Sequence, residues 1–196
     1  MGLSGALVAV SIGTIYGALA GFFGGKIDSL MMRFLEILNA FPFMFFVILL
    51  TTFFGRNLVL IFAAVGLVSW LDVARIVRGQ TLSLKHKEFV EAARVSSMSR
   101  RRIVVRHIIP NVLGVVMVYA SLLVPGMIMY ESFLSFLGLG VQEPMTSLGV
   151  LISEGADRME TAPWMLIFPA IILATILFCF NFVGDGLRDA LDPKDR

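Results

Sequence analysis

Few residues in this 196-residue sequence have both the type and the spacing that chemistry demands. Phosphate cradling wants G-x-x-x-x-G-K-[ST], because backbone N–H groups and a lysine must converge on the anion. Gly25-Lys26 comes nearest, but Ala20 stands where the first glycine belongs and Ile27 where the hydroxyl belongs. Nucleotide binding by that route is not expected. His86 and His107 lie far apart without a ligand cluster beside them, so they are expected at the surface or facing headgroups rather than on a metal. Cys179 is the sole cysteine, which excludes an intramolecular disulfide and a cysteine-based zinc cluster. Inside an apolar run it is expected to be a buried thiol. No nucleophile–base pairing stands out, so no catalytic residue, metal or cofactor is assigned to the chain, and an enzyme is not expected. What remains is Glu91-Ala92-Ala93, a carboxylate beside two small residues. On a helix these make a slim surface that can enter a groove on another protein, the acid pairing there. Composition alone leaves that reading and a plain solvated face both open.

The elements that position this segment must be membrane-borne. Hydrophobic residues make up 58% and charged residues 15%, and the mean hydropathy is +0.88. A water-soluble domain has about a quarter of its residues charged, and so apolar a chain with a net charge of only +2 is not disordered. Five stretches approach the roughly 20 apolar residues that a helix needs to cross hydrocarbon. They are Leu3 to Phe23, Ile37 to Phe54, Leu58 to Val77, Val112 to Tyr130 and Trp164 to Val183. Their uninterrupted character predicts helices, since barrel strands alternate. Leu3 to Phe23 is too long for the core of a signal peptide and lacks a basic lead-in. The expected fold is an all-α membrane protein, one transmembrane domain over residues 1–196 built as a bundle of five helices.

Charge sets the orientation. Of the 16 basic residues, only Arg56 and Arg158 fall on the side opposite the long loop between the third and fourth spans. The positive-inside rule places that loop, residues 78–110, and the tail, 184–196, in the cytoplasm. Residues 131–163 then lie outside. An odd number of spans leaves the N-terminus outside too, and the chain is expected to lack an earlier span. Asp72, Arg75 and Glu131 stand at span ends, so charge at membrane depth is missing and ion-coupled transport is disfavoured. Gly5, Ala9, Gly13, Gly17, Gly21 and Gly25 put a small residue at every fourth position of the first span. Such a stripe serves packing within the bundle or a subunit interface.

The loop is patterned rather than plain. Lys87 to Val95 is made of good helix formers, with Phe89, Ala92 and Ala93 expected on one side. Ser96 to Ser99 interrupts, and Ser99 is an expected N-cap for a basic helix from Arg100 to Ile109. Pro110 predicts a boundary or kink before the fourth span. Arg100, Arg101 and Arg102 suit an anionic leaflet.

Together these residues resemble the EAA signature of bacterial ABC importer membrane subunits. That signature runs E-A-A, three residues, glycine, nine residues, isoleucine, one residue, leucine, proline. Glu91-Ala92-Ala93 and Pro110 fit the spacing, while Ser97, His107 and Ile109 replace the glycine, isoleucine and leucine. Serine tolerates positive φ poorly, so a helix running a little further, or a serine cap, is expected at position 97. Tyr130 to Gly140, Asn181 to Pro193, and Gly21 to Gly25 through Ala40-Phe41-Pro42 resemble segments of the oligopeptide and dipeptide permeases. The likeness covers essentially the whole chain and is strongest to the C-type subunits of oligopeptide permeases.

The resemblance implies a permease subunit of an ATP-driven importer, with six spans in the full-length family and a cytoplasmic two-helix coupling loop. It implies oligopeptide transport across the bacterial inner membrane, beside a homologous B-type subunit in a heterodimer. Two P-loop ATPase subunits would carry the ATP and magnesium, and a periplasmic peptide-binding protein would deliver substrate; no nucleic acid is implied. The coupling residues would be Glu91, Ala92, Ala93, Ser97, Ile109 and Pro110. Met127 and Met129 could line a tolerant path, although core packing is the commoner use of a methionine. Outside, Leu148, Leu151 and Ile152 would meet the binding protein or cap their own bundle. An importer for dipeptides, glutathione or nickel shares this architecture. An ion-coupled carrier, a channel or a scaffold held by the basic loop are the readings from other classes.

Overall fold

The computed structural model describes residues 2–54 and 58–191, and among these every regular element is helical. The uncharged apolar start forms α1 (Gly2–Phe23). Gly24, at φ +65, then turns the chain where a side chain would be strained, and α2 (Gly25–Ala40) follows. The expected span from Ile37 to Phe54 is not one helix. Its first four residues close α2, Phe41 is extended (φ −83, ψ 124), and α3 (Phe43–Phe54) begins after Pro42 at 76° to α2. Proline supplies no N–H and drives the preceding residue out of the helical region. A run continuous in composition is therefore two helices.

After α4 (Leu58–Leu84), which extends past the expected end at Val77, come the short α5 (Glu88–Val95) and α6 (Arg100–Ile103). A π turn over Val104–Ile108 leads straight into α7 (Ile109–Phe136). Arg100 to Ile109 is thus no separate helix, and Pro110 is not a boundary: a continuous helical path of 37 residues runs from Arg100 to Phe136. In the π turn the Ile109 N–H reaches back to the Val104 carbonyl. This wider turn carries the chain into a proline whose ring would otherwise press on the carbonyl four residues back. Next comes α8 (Leu148–Asp157), where Ser147 Oγ accepts from the Val150 N–H at 3.4 Å. Finally α9 (Trp164–Leu191) absorbs most of the expected tail; residues 192–196 lie outside the described residues, as does Arg56.

Three helical stretches are long and apolar enough to cross a membrane among the described residues: Gly5–Phe23, Arg100–Phe136 and Trp164–Ala190. The bent α2–α3 pair would make a fourth. These four correspond to the first, fourth, fifth and second of the five expected spans. The stretch from Leu58 to Val77 does lie in α4, but the side chains of residues 58–65 are outside the description.

Small residues decide the central packing. A Cβ at Gly13 would stand 2.5 Å from that of Val73, and one at Gly21 2.8 Å from the Arg78 carbonyl oxygen. At Gly17 it would collide with the Ala74 carbonyl oxygen. The stripe on α1 is thus used inside the chain, against α4, where close backbones maximise dispersion contact. Gly25 falls past the end of α1 and meets nothing within 4 Å. Gly17→Val is expected to destabilise the fold by about 3 kcal/mol, at the upper end for overpacking, because the obstacle is backbone. Gly79→Ala, with open space around it, is expected to be tolerated. Thermal unfolding in detergent compares them, and equal midpoints would mean that α1 and α4 do not pack this closely.

Near the same end of the bundle, Arg78 Nε and Nη2 donate to both oxygens of Asp28 at 2.5 and 2.6 Å, tying α4 to the start of α2. Lys85 Nζ donates to the Gly21 carbonyl at 3.2 Å, adding the end of α1. On the outside, apolar side chains point away from the bundle: Phe178 and Phe182 are 71% and 72% exposed. Cys179 lies among them and is exposed, not buried as expected. Hydrocarbon is as comfortable a surrounding as protein for such groups, so burial within the chain cannot be inferred from an apolar run.

Candidate functional site

The loop between α4 and α7 is fixed to the spans by one apolar core. Val90 and Ala93 of α5, Ile103 of α6, and Val104 and Ile108 of the π turn are buried with Phe22, Val73, Val77 and Val112. The buried side of α5 is therefore Val90 and Ala93, three residues apart, while Phe89 is 39% exposed and Ala92 is exposed; Ala93 is thus not part of the open surface expected of Glu91-Ala92-Ala93. The opposite stripe, Glu88, Glu91, Ala92 and Val95, follows the i, i+3, i+4, i+7 spacing of one helix face and is open throughout. Val95, at 86% exposed, is the most open large apolar side chain of the chain's described residues. Glu88 and Glu91 in the first turn and Arg94 in the last suit the helix dipole.

The end of α5 departs from expectation. Ser97 adopts φ +57. Its N–H bonds the Arg94 carbonyl at 3.0 Å, and the Met98 N–H bonds the Ala93 carbonyl at 3.1 Å. These two bonds form a Schellman closure with serine in the position that favours glycine, and Met98 packs against the core beside Ala93. The helix does not run further; Ser96 Oγ donates to the Ala92 carbonyl at 2.9 Å at the end of α5, while Ser99 stands at the N-cap of α6 without a side-chain hydrogen bond. The bonded turn and the half-buried methionine outweigh the strain of the left-handed serine. Ser97→Gly is accordingly expected to stabilise the protein by about 1 kcal/mol, read as a raised thermal midpoint; a fall would show that the serine is not strained there.

Beyond the turn, His107 is half-buried rather than superficial. Its ring lies 6.3 Å from that of Phe89, and Nε2 is enclosed without a hydrogen-bond partner. Asn111 Nδ2 donates to the His107 carbonyl at 2.6 Å, which occupies a carbonyl in the turn before Pro110. Pro110 is exposed and Ile109 half-buried. Among the described residues no three metal-ligating side chains gather. Far from the loop, Met127 is 3% exposed and a Cβ at Gly5 would stand 3.2 Å from its sulfur, so it packs between α7 and α1. Met129 is 51% exposed.

The arrangement is a short helix built on one side into the core of the spans and open on the other, a shape that suits docking. A family model described as binding-protein-dependent transport system inner membrane component matches residues 13–196. The chain belongs to this family. Among relatives of this inner membrane component, the oligopeptide transport system permease protein OppC of Haemophilus influenzae is 69% identical over 196 residues, covering 100% of this chain and 63% of that protein. The OppC of Escherichia coli K12 is 73% identical over 173 residues, covering 88% of this chain and 57% of that protein. The chain thus spans about three fifths of the length of the curated relatives it matches. A chain of the MetNI methionine ABC transporter, solved in inward-facing conformations, shares the fold at a TM-score of 0.67 and 14% identity, covering 97% of this chain and 94% of that one.

The signature residues Glu91, Ala92, Ala93 and Ser97 come together on α5 and its closing turn, whereas Ile109 and Pro110 sit at the start of α7. Sequence reasoning missed Val90 as an anchor, and it missed the Asp28–Arg78 pair. Arg78 stood out only as a positive charge; 50 residues separate it from Asp28, and no local pattern spans that gap.

Proposed function

We propose that this chain is a membrane-spanning permease subunit of an ATP-driven importer that moves oligopeptides across the bacterial inner membrane. The observation that carries the reading is the open Glu88, Glu91, Ala92 and Val95 face of α5 on a helix whose other face is built into the core of the spans. The similarity to oligopeptide permeases supports the substrate class. In this reading α5 enters a cleft of one of two P-loop ATPase subunits, which bind the ATP and magnesium. Closure of the ATPases pushes α5, and the shared core passes the displacement to α1, α4 and α7. A homologous B-type subunit completes the path, and a periplasmic peptide-binding protein delivers cargo to the side that holds α8. Of the two methionines, Met129 is the one open enough to meet a passing peptide.

Purification of the full-length protein from membranes in mild detergent tests the assembly. P-loop ATPase subunits should accompany it, and a crosslinker at Ala92→Cys should capture one of them. A crosslink only to lipid, with no ATPase co-purifying, overturns the reading. Orientation has its own check. In a Cys179→Ala background, Ser97→Cys should react with a membrane-impermeant thiol reagent from the cytoplasmic side alone, with the C-terminus on that same side. Labelling from the periplasm would invert the topology.

A further inference from the structure

A cavity of about 440 Å³ opens between the end of α1 and the α5–α6 turn, lined by Phe22, Phe23, Arg94, Met98, Arg100 and Ile103. Its floor is apolar: Phe22 and Ile103 are 7% and 1% exposed, and Met98 is half-buried. Its rim carries two guanidinium groups. Neither Arg94 nor Arg100 has a carboxylate partner among the described residues. Arg94 lies 5.6 Å from the centroid of the Phe22 ring, a contact that satisfies none of its N–H hydrogen bonds. Depth is fixed by α1. Its 19-residue apolar stretch, Gly5–Phe23, spans about 28 Å at 1.5 Å per residue, close to the hydrocarbon thickness. Phe22 and Phe23 therefore stand where acyl chains give way to phosphates.

We propose that this cavity binds an anionic phospholipid, its phosphate held by Arg94 and Arg100 and the start of an acyl chain lying on Phe22, Met98 and Ile103. The two halves of the site select an amphipathic anion. Paired arginines match a phosphate in charge and fork geometry, whereas free phosphate or a carboxylate on a neighbouring protein has no use for the apolar floor. Basic pockets at the cytoplasmic ends of membrane helices suit such headgroups. Seated there, the lipid wedges the span α1 against the α5–α6 unit. The proposal concerns binding and does not depend on transport.

Native mass spectrometry of the full-length protein in neutral detergent, titrated with phosphatidylglycerol, phosphatidylethanolamine or inorganic phosphate, tests it. Phosphatidylglycerol should fill one tight site, and Arg94→Gln with Arg100→Gln should weaken it about 30-fold. Arg101→Gln with Arg102→Gln, outside the lining, should weaken it far less. If the first pair fails to fold, Met98→Glu places a like charge in the same cavity and should expel the lipid. Equal affinity in wild type and lining variants overturns the proposal, as does tighter binding of inorganic phosphate than of phosphatidylglycerol. Loss of a co-purifying protein with lipid binding unchanged would also overturn it, because the arginines would then serve that protein.

Discussion

Arg78→Ala is expected to destabilise the protein by about 3 kcal/mol. Asp28 is only 8% exposed and receives both of its short hydrogen bonds from Arg78, at 2.5 and 2.6 Å. Without the guanidinium, a desolvated carboxylate is left unpaired between α2 and α4, and it must take up a proton or draw in water. Breaking a buried pair typically costs about 3–5 kcal/mol. The Arg78 side chain is 33% exposed, so water already weakens the attraction and the lower end applies. The exposed pair between Arg75 and Asp72, at 2.9 Å on a single helix, should contribute about 0.5 kcal/mol or less. A double replacement, Asp28→Leu with Arg78→Leu, removes both charges and should recover most of the loss. Thermal midpoints of the variants in one detergent decide the matter. A midpoint for Arg78→Ala equal to that of wild type, or a double variant worse than the single, would remove the pair from the account of the fold.

Glu91→Lys is expected to leave the protein in the membrane and to abolish ATP-driven peptide uptake. Glu91 is exposed and makes no contact that the fold requires, so the change to stability is limited to the helix dipole, about 0.5 kcal/mol for a reversed charge in the first turn. Docking is another matter. Inverting one partner of a desolvated charge pair at an interface costs about 2–5 kcal/mol, a loss of affinity of at least about 30-fold. Glu91→Gln, with the shape kept and the charge removed, should fall between. Uptake and ATPase co-purification should fail together for Glu91→Lys. Normal uptake would remove the docking role from α5.

Composition and spacing made much of this architecture legible. An uncharged run such as Leu3 to Phe23 leaves a helix little alternative, and the stripe of small residues along it declared a close neighbour, though not which one. Legibility failed where the backbone overrode composition. Pro42 split an apolar run into two helices, and the π turn let Pro110 sit inside a longer one. It failed again at Ser97, where two backbone hydrogen bonds and a half-buried methionine hold a conformation that serine alone disfavours. At the candidate site Glu91 and Ala92 are open, whereas Ala93, grouped with them in the sequence, is built into the core. No anchoring side was read in the sequence, because α5 permits Phe89 or Val90 to face inward and only the third dimension chooses Val90. Cys179 shows the remaining gap, since hydrocarbon outside and core inside look the same to a hydropathy scale.

The unbroken path from Arg100 to Phe136 measures about 55 Å at 1.5 Å per residue, nearly twice the hydrocarbon thickness. A helical path of that length is longer than the hydrocarbon it would cross. One end carries the arginines next to α5, and the other carries Ser132, whose backbone is so close to Gly149 of α8 that no side chain fits between them. Tilting such a rod at one tip must swing the other, except as the π turn and Pro125, the two places where its hydrogen-bond ladder is interrupted, bend instead. A signal could thus cross the membrane as leverage, with no side chain between the two ends changing its partner.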